Sequence, residues 1–195
     1  MAITINGTAN TIGGLTPGGL PDGSIVADDF ASGALDGAGG GKILQVVQTV
    51  KTDTTSQSSS SNFQDISGIS VSITPSSSSN KVLVFADLAL GSQDLSSHHL
   101  IWRLVRDSTA IGVSTSATSV DLTGTGGMHR GTTGGNSYYF GTSKMFLDSP
   151  STTSSTTYKV QWSANDSGAT LYLNKRGDDA APGAISTITV MEVAA

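Results

Sequence analysis

Apolar and polar residues alternate in several short stretches after residue 42. In residues 158–163 the apolar positions are Tyr158, Val160 and Trp162, and a polar residue follows each of them. Residues 69–73 repeat this spacing. Successive side chains of a strand point to opposite faces, so a period of two predicts a strand with one buried face. We therefore expect Trp162 to lie in a core.

The same reasoning predicts about eight strands after residue 42, separated by loops rich in turn residues. Residues 81–90 are apolar at most positions, which predicts a strand at the centre of a sheet. The Ser/Thr-rich residues 52–61 predict a loop, Gly141 predicts a β-bulge, and residues 165–168 predict a hairpin turn between the strands beside them. The predicted strands cover residues 42–50, 69–73, 81–90, 100–106, 137–148, 158–163, 170–174 and 186–193.

Composition supports an all-β chain. Glu192 is the only Glu among 15 acidic residues, and Asp, which supplies all the others, favours caps and turns over helices. Regular short strands without helical periodicity predict a jelly-roll-like antiparallel β-sandwich in residues 42–195. Residues 1–41 differ, because Gly is dense there and only Ile3 and Ile5 suggest a short strand, ending at the Asn6–Gly7 turn. We expect an extended Gly-rich segment that cannot fold alone.

Charge and cysteine content exclude several classes of protein. The net charge of −5 argues against a nucleic-acid or anionic-membrane partner. The absence of Cys removes disulfides, thiolate metal sites and thiol catalysis. Residues 1–4 carry no signal-peptide pattern, and no apolar run approaches the roughly 20 residues of a membrane span. We therefore expect synthesis in a cytoplasm, without membrane insertion.

No catalytic or cofactor motif is present in full. Residues 37–42 (GAGGGK) suggest a phosphate loop, but Asp36 replaces the first Gly and Ile43 replaces the Ser/Thr that would hold Mg²⁺. His98 and His99 are neighbours that point to opposite faces of a strand, so ordinary polar positions are favoured. A metal site that joins one of them to His129, or lies across a three-fold axis, stays open. We predict no enzyme activity, no cofactor and no resident metal.

A recognition surface is expected in the Gly-rich loop of residues 124–136. Long loops on a rigid sandwich usually carry function. This loop precedes the densest aromatic cluster, residues 138–140, of which one ring must face the core. The candidate surface residues are Met128, His129, Arg130 and Tyr138.

Six short motifs lie at residues 11–15, 18–26, 41–48, 73–75, 81–84 and 186–193. They resemble segments of tail-fibre-like virion proteins of bacteriophages, especially marine and cyanobacterial phages. Two of them match the N-terminal segments of those proteins, and four match their C-terminal domain, so the resemblance covers nearly the whole chain. It implies trimeric, knob-like modules similar in outline to the TNF/C1q-like jelly roll, and it carries no catalytic motif.

The resemblance and the residue patterns together predict a bacteriophage virion structural protein, made in the host cytoplasm. In the first hypothesis it is a tail fibre or tail tip protein that contacts other virion proteins through residues 1–41 and binds a host-surface polysaccharide or protein through the sandwich. The alternative is a capsid decoration protein, either a head fibre or a cement protein. A virion enzyme such as a depolymerase is a third class. The apolar residues expected to make the attachment are Ile3, Ile5, Leu15, Leu20, Ile25, Val26 and Phe30.

Self-association follows from the low content of charged residues, which is 13%. A monomer with so few charged side chains covers its surface poorly, whereas Ser, Thr and Gln are buried in an interface at little cost when hydrogen-bonded. The strands of residues 42–50 and 186–193, if they share a sheet, suit a face shared between identical subunits. The resemblance implies three copies. The candidate trimer-interface residues are Gln45, Gln48, Thr187 and Thr189.

Overall fold

A computed structural model describes residues 4–6, 11–13, 43–93, 99–116, 124–129, 138–164, 168–177 and 183–195. Every regular element in these residues is a β-strand. None of them forms a helix that is long and apolar enough to cross a membrane. The strands are β1 (Thr4–Asn6), β2 (Thr11–Gly13), β3 (Ile43–Lys51), β4 (Thr55–Ser58), β5 (Gln64–Ile73), β6 (Lys81–Gln93), β7 (His99–Arg106), β8 (Thr109–Ile111), β9 (Gly126–His129), β10 (Tyr138–Asp148), β11 (Thr156–Ala164), β12 (Thr170–Leu173) and β13 (Ser186–Val193).

The chain divides into two compact units, Met1–Gly41 and Lys42–Ala195. The division falls where the Gly-rich composition ends. In the first unit β1 pairs antiparallel with β2, with Ile5 opposite Ile12. The strand suggested by Ile3 and Ile5 is therefore present over Thr4–Asn6. Its partner β2 went unpredicted because Ile12 has no apolar residue two positions away.

Six strands of the second unit form one antiparallel sheet around β6. All of β10 pairs with one edge of β6, over residues 82–92 of β6. The other edge is shared, because β13 pairs with residues 81–87 of β6 and β12 pairs with residues 90–93. β3 pairs with the far edge of β13, and β4 with the far edge of β12. The central position predicted for residues 81–90 is confirmed, because they lie in β6.

The other five strands form the second sheet, in the order β5-β11-β7-β8, with β9 beside β8 on the same edge of β7. Its inner face packs on the inner face of the six-stranded sheet in one continuous core. Side chains also bridge the two sheets at one side, where Thr49 Oγ1 on β3 donates to the Ser70 carbonyl on β5 at 2.8 Å. The fold is a jelly-roll-like antiparallel β-sandwich, as predicted.

The core is built from the positions that the period of two selects. Ile69, Val71 and Ile73 are all buried. Trp162 is fully buried, and its Nε1 donates to Gln57 Oε1 at 2.7 Å. Its predicted place in the core is confirmed, and burial of each such apolar side chain contributes about 1.5 to 3 kcal/mol.

Three local predictions were wrong. Residues 52–61 contain β4, an edge strand that pairs only with β12 and therefore needs no apolar run. The register of β10 on β6 continues through Gly141 without a bulge. The strands beside residues 165–168 do not form a hairpin, because β11 lies in the five-stranded sheet and β12 in the six-stranded sheet. Residues 165–167 themselves lie outside the described residues.

Candidate functional site

The outer face of the six-stranded sheet is apolar where β3, β13, β6 and β10 lie side by side. Cross-strand pairing places Val46, Met191, Leu83 and Leu147 in one row. The adjacent row contains Phe85 and Met145. Directly opposite side chains in a sheet touch one another, so the rows form a continuous surface. We call it the apolar face and define it by Val46, Leu83, Phe85, Met145, Leu147 and Met191.

Several side chains of the apolar face are open to solvent. Val46 is 57% exposed, Met145 66% and Leu147 46%. Met191 and Leu83, at the centre, are partly covered by these neighbours. Scattered exposed apolar residues are common on proteins, but a contiguous patch of this kind marks an interaction surface.

The other half of the same sheet is covered by the chain itself. Beyond Asp87, the outward positions of β6 include Ala89 and Gly91, which are both buried. A Cβ on Gly91 would collide with the carbonyl oxygen of Lys175, so the chain lies directly on this strand. The Lys175 ammonium stands 4.8 Å from the centre of the Tyr172 ring on β12. Only the half of the outer surface that carries the apolar face is left without such a cover in the described residues.

The outer face of the five-stranded sheet is polar. Asp65 accepts hydrogen bonds from Lys159 Nζ at 2.8 Å and from Gln161 Nε2 at 2.7 Å. Arg103 Nε donates to Gln161 Oε1, and its guanidinium stacks 3.9 Å from the centre of the Phe63 ring. Burial raises the pKa of Asp65, but the bonds from Lys159 and Gln161 outweigh it and hold that pKa below the usual value. This surface is suited to water.

A buried ion pair joins the two sheets beneath the apolar face. Arg106 Nη1 on β7 donates to both carboxylate oxygens of Asp148 on β10, at 2.8 Å each. The Tyr158 hydroxyl on β11 donates to Asp148 Oδ2 at 2.7 Å. Burial, followed by this hydrogen bond, raises the pKa of Tyr158 well above its ordinary value. The hydroxyl therefore stays protonated and available as a donor.

A second buried carboxylate, that of Glu192 on β13, is held by neutral donors. Its Oε1 accepts from Asn80 Nδ2 at 2.6 Å and from the backbone N and Oγ of Ser76, both at 2.7 Å. Its Oε2 accepts from Gln45 Nε2 at 2.6 Å. Burial alone would raise the pKa of Glu192, but the bonds from Asn80, Gln45 and Ser76 lower it to about 2. The group is therefore a structural anion at neutral pH.

The predicted interface residues do not all share one face. β3 does pair with β13, and Gln48 Nε2 donates to Thr189 Oγ1 at 2.8 Å on the outer side, in the row of Phe85 and Met145. Thr187 lies in the next outer row, opposite Val50. Gln45 points to the inner side, toward Glu192. The prediction that Gln45 shares an interface with Gln48 was wrong, because residues three apart in a strand face opposite sides of the sheet.

The predicted recognition residues lie on two different sheets. Met128 and His129 are on β9, opposite Leu100 and His99 of β7, whereas Tyr138 begins β10 in the six-stranded sheet. The strand pairing thus joins His129 to His99, a pair of histidines that is distant in the sequence. No cluster of three or more His, Asp or Glu that could hold a metal occurs in the described part of the chain.

Most of the predicted attachment residues, and part of the recognition surface, lie outside the described residues. Of the attachment set only Ile5 is described, in β1. His98 of the histidine pair is also outside. The other residues outside the described part are Ile3, Leu15, Leu20, Ile25, Val26, Phe30 and Arg130.

Sequence reasoning missed the apolar face, although a signal for it existed. Leu83 and Phe85 alternate with Val82 and Val84, so β6 is apolar at both parities. Taken by itself, this pattern suggests burial on both sides. In a two-layer antiparallel sandwich only one side of each sheet faces the core, so the second apolar parity indicates a surface that is covered from outside.

Comparison with known proteins adds little to these observations. No protein-family model and no curated protein sequence matches the chain. Among solved structures, the chain is similar to one described as "Structure of infectious bursal disease virus Gx strain", at 14% identity and a TM-score of 0.32. The match covers 77% of this chain and 37% of the other. A likeness this weak carries no argument about function.

Proposed function

We propose that this chain is a non-enzymatic structural protein of a bacteriophage virion. In detail, we propose a homotrimeric tail fibre or tail tip protein. Residues 1–41 would attach to other virion proteins, and the sandwich of residues 42–195 would bind a host-surface polysaccharide or protein. The motifs that resemble tail-fibre-like proteins support the choice of a phage tail.

The observation that carries the proposal is the contrast between the two outer faces of the sandwich. One sheet presents a polar, hydrogen-bonded surface around Asp65 and Gln161. The other presents the apolar face, with Met145 66% exposed. A subunit of an assembly needs both, one surface for solvent and one for its neighbours. The buried carboxylates of Asp148 and Glu192 also support a structural role, because protein donors hold their oxygens.

Fractionated particles test the location. Purified virions would be separated into heads and tails, and each fraction probed for this chain by mass spectrometry. We expect the chain in the tail fraction. Its presence on heads alone would overturn the tail proposal and favour the capsid decoration alternative. Its absence from particles would overturn the virion proposal altogether.

A truncated protein that begins at Lys42 tests the attachment role of residues 1–41. The truncation leaves out one compact unit and retains the other, Lys42–Ala195. We expect the truncated protein to fold, as judged by circular dichroism, and to be absent from particles assembled in its presence. The full-length chain supplied in the same way is the control. Equal incorporation of the two proteins would show that attachment does not need residues 1–41.

A further inference from the structure

We infer that the apolar face is the surface through which copies of this chain bind each other. The inference deepens the proposed function by naming a second copy of the chain as the partner of this surface. It rests on the proposed function only for the number of subunits, which is three. The interface would centre on Val46, Met191, Leu83 and Leu147, with Phe85 and Met145 beside them.

The area of the surface fits an interface between subunits. Strands lie about 4.8 Å apart and rise about 3.4 Å per residue, so four strands over the seven paired residues 187–193 span a flat area of about 450 Å². Side-chain relief makes the accessible area larger. A stable interface takes about 800 Å² from each partner. The apolar face and its outer neighbours therefore supply more than half of one side.

The charges around the surface exclude a charged partner. The two outer rows described above and the third row, Val50–Thr187–Asp87–Ser143, contain twelve residues, of which Asp87 alone is charged. Lys81 lies on the same side of β6, beyond the other end of the rows. One acid and one base at opposite ends give no net field to attract nucleic acid or an anionic lipid surface. The fitting partner is a neutral apolar protein surface.

A second copy of this chain is such a surface and is always present at equal concentration. Identical apolar faces can pack on one another without burying a charge, since Lys81 and Asp87 stay at the margins. The polar outer face of the other sheet provides an internal contrast, because Asp65, Ser70 and Ser72 are exposed there on β5 and are all polar. The outward apolar residues of β7, Ile101 and Val105, are half-buried and buried. The chain therefore covers apolar residues on the surface that needs no partner.

Two matched double variants test the inference by mass. Val46→Glu with Met145→Glu places two charges on the apolar face, and Ser70→Glu with Ser72→Glu places two on the polar face. Light scattering of the purified wild-type protein should give a multiple of 19.7 kDa. The first variant should fall to the mass of one chain, and the second should keep the wild-type mass. A mass of three chains agrees with the trimer proposed above, and a mass of two corrects that number but supports the interface.

A labelling experiment keeps the inference testable if the first variant does not fold. The chain contains no Cys, so Met145→Cys and Ser70→Cys each carry a single thiol on an exposed strand position. A maleimide should label the Ser70→Cys variant rapidly and the Met145→Cys variant slowly, although the isolated chain exposes Met145 by 66%. Equal rates, a single-chain mass for the wild type, or an unchanged mass for the folded Val46→Glu/Met145→Glu variant would overturn the inference.

Discussion

Asp148 and Glu192 are buried carboxylates in the same row of the six-stranded sheet, and a single strand separates them. Both are paired with Val82 of β6, Asp148 from β10 and Glu192 from β13. Asp148 is 5% exposed and Glu192 is 1% exposed. Asp148 is neutralised by the Arg106 guanidinium. Glu192 has no ion-pair partner in the described residues and is held by amides, a hydroxyl and a backbone N–H.

The difference between the two carboxylates follows from what each one joins. Asp148 links β10 to β7 and β11 of the opposite sheet, across the width of the sandwich. A long, always charged arginine can bridge that distance. Glu192 links β13 to β3 and to the turn before β6, which are its close neighbours, so short neutral donors reach it. Together they fix the strands that display the two sides of the apolar face, β10 on one side and β13 with β3 on the other.

The largest effect is expected from Asp148→Asn. This change leaves the Arg106 charge without a counter-charge and sets an amide N–H against its donors. Breaking a buried ion pair costs about 3 to 5 kcal/mol, and since the Arg106 side chain is 24% exposed we expect about 3 kcal/mol. Urea unfolding at one fixed protein concentration measures it. Asp65→Asn, which breaks an exposed ion pair of the polar face, is the matched control and should cost less than about 1 kcal/mol. Similar losses for the two variants would contradict a special role for burial.

A smaller loss is expected from Glu192→Gln. The amide keeps the shape of the side chain but turns one acceptor into a donor that faces Gln45 or Ser76. Gln45 could rotate its amide to accept, but it would lose the bond that its Nε2 donates to the Thr74 carbonyl at 2.9 Å. A buried donor left unsatisfied costs about 1 to 3 kcal/mol, and we expect about 2. The same urea measurement applies. A loss above that of Asp148→Asn would reverse the comparison.

Tyr158→Phe should cost about 1 kcal/mol, because it removes one hydrogen bond and leaves the ring in the core. Asp148 keeps both contacts with Arg106. Thermal unfolding checks this loss. The control is Thr157→Val on the outer side of the same strand, which removes the hydrogen bond between the Thr157 and Ser72 hydroxyls outside the core. An unchanged stability in Tyr158→Phe would show that Arg106 alone satisfies the carboxylate.

The period of two carried most of what the sequence could predict about the fold. It selected the inward positions of β5 and β11 correctly, from Ile69 to Trp162, because each of those strands has one face in the core. It could not do so for β6, which is apolar at both parities. It failed for β4, whose residues Thr55–Ser58 are all polar, since an edge strand can form by backbone pairing alone. It also could not assign β12 to a sheet, because a turn sequence specifies a reversal of the chain and not the strand that will be paired.

The candidate surfaces were less predictable, for two physical reasons. Parity alone separates Gln45 from Gln48, so that part of the interface prediction could have been corrected from the sequence. The pairing of Val46, Met191, Leu83 and Leu147 in one row depends on the register of four strands that are distant in sequence. Nor does the local sequence indicate that Glu192, the only Glu of the chain, is buried; its donors Asn80 and Gln45 come from 112 and 147 residues away.

The smallest expected effect is a dependence on pH. It appears as a change, at low pH, in the difference between the free energies of unfolding of the wild type and of Glu192→Gln. The pKa of Glu192 is lowered from 4.5 to about 2 in the folded chain, so its ionised form contributes stability above pH 4.5. That contribution is lost as the pH falls from 4.5 toward about 2, where the folded chain also takes up the proton. The amide of the Glu192→Gln variant cannot titrate, and the exposed Asp53 and Asp65, whose pKa values are also lowered, are common to both proteins. The stability difference should therefore be constant from neutral pH to about 4.5 and should shrink below it, as urea unfolding across this range would measure. A difference that stays constant down to the lowest pH would mean that the pKa of Glu192 is the same in the folded and the unfolded chain, and that its donors do not favour the ionised form.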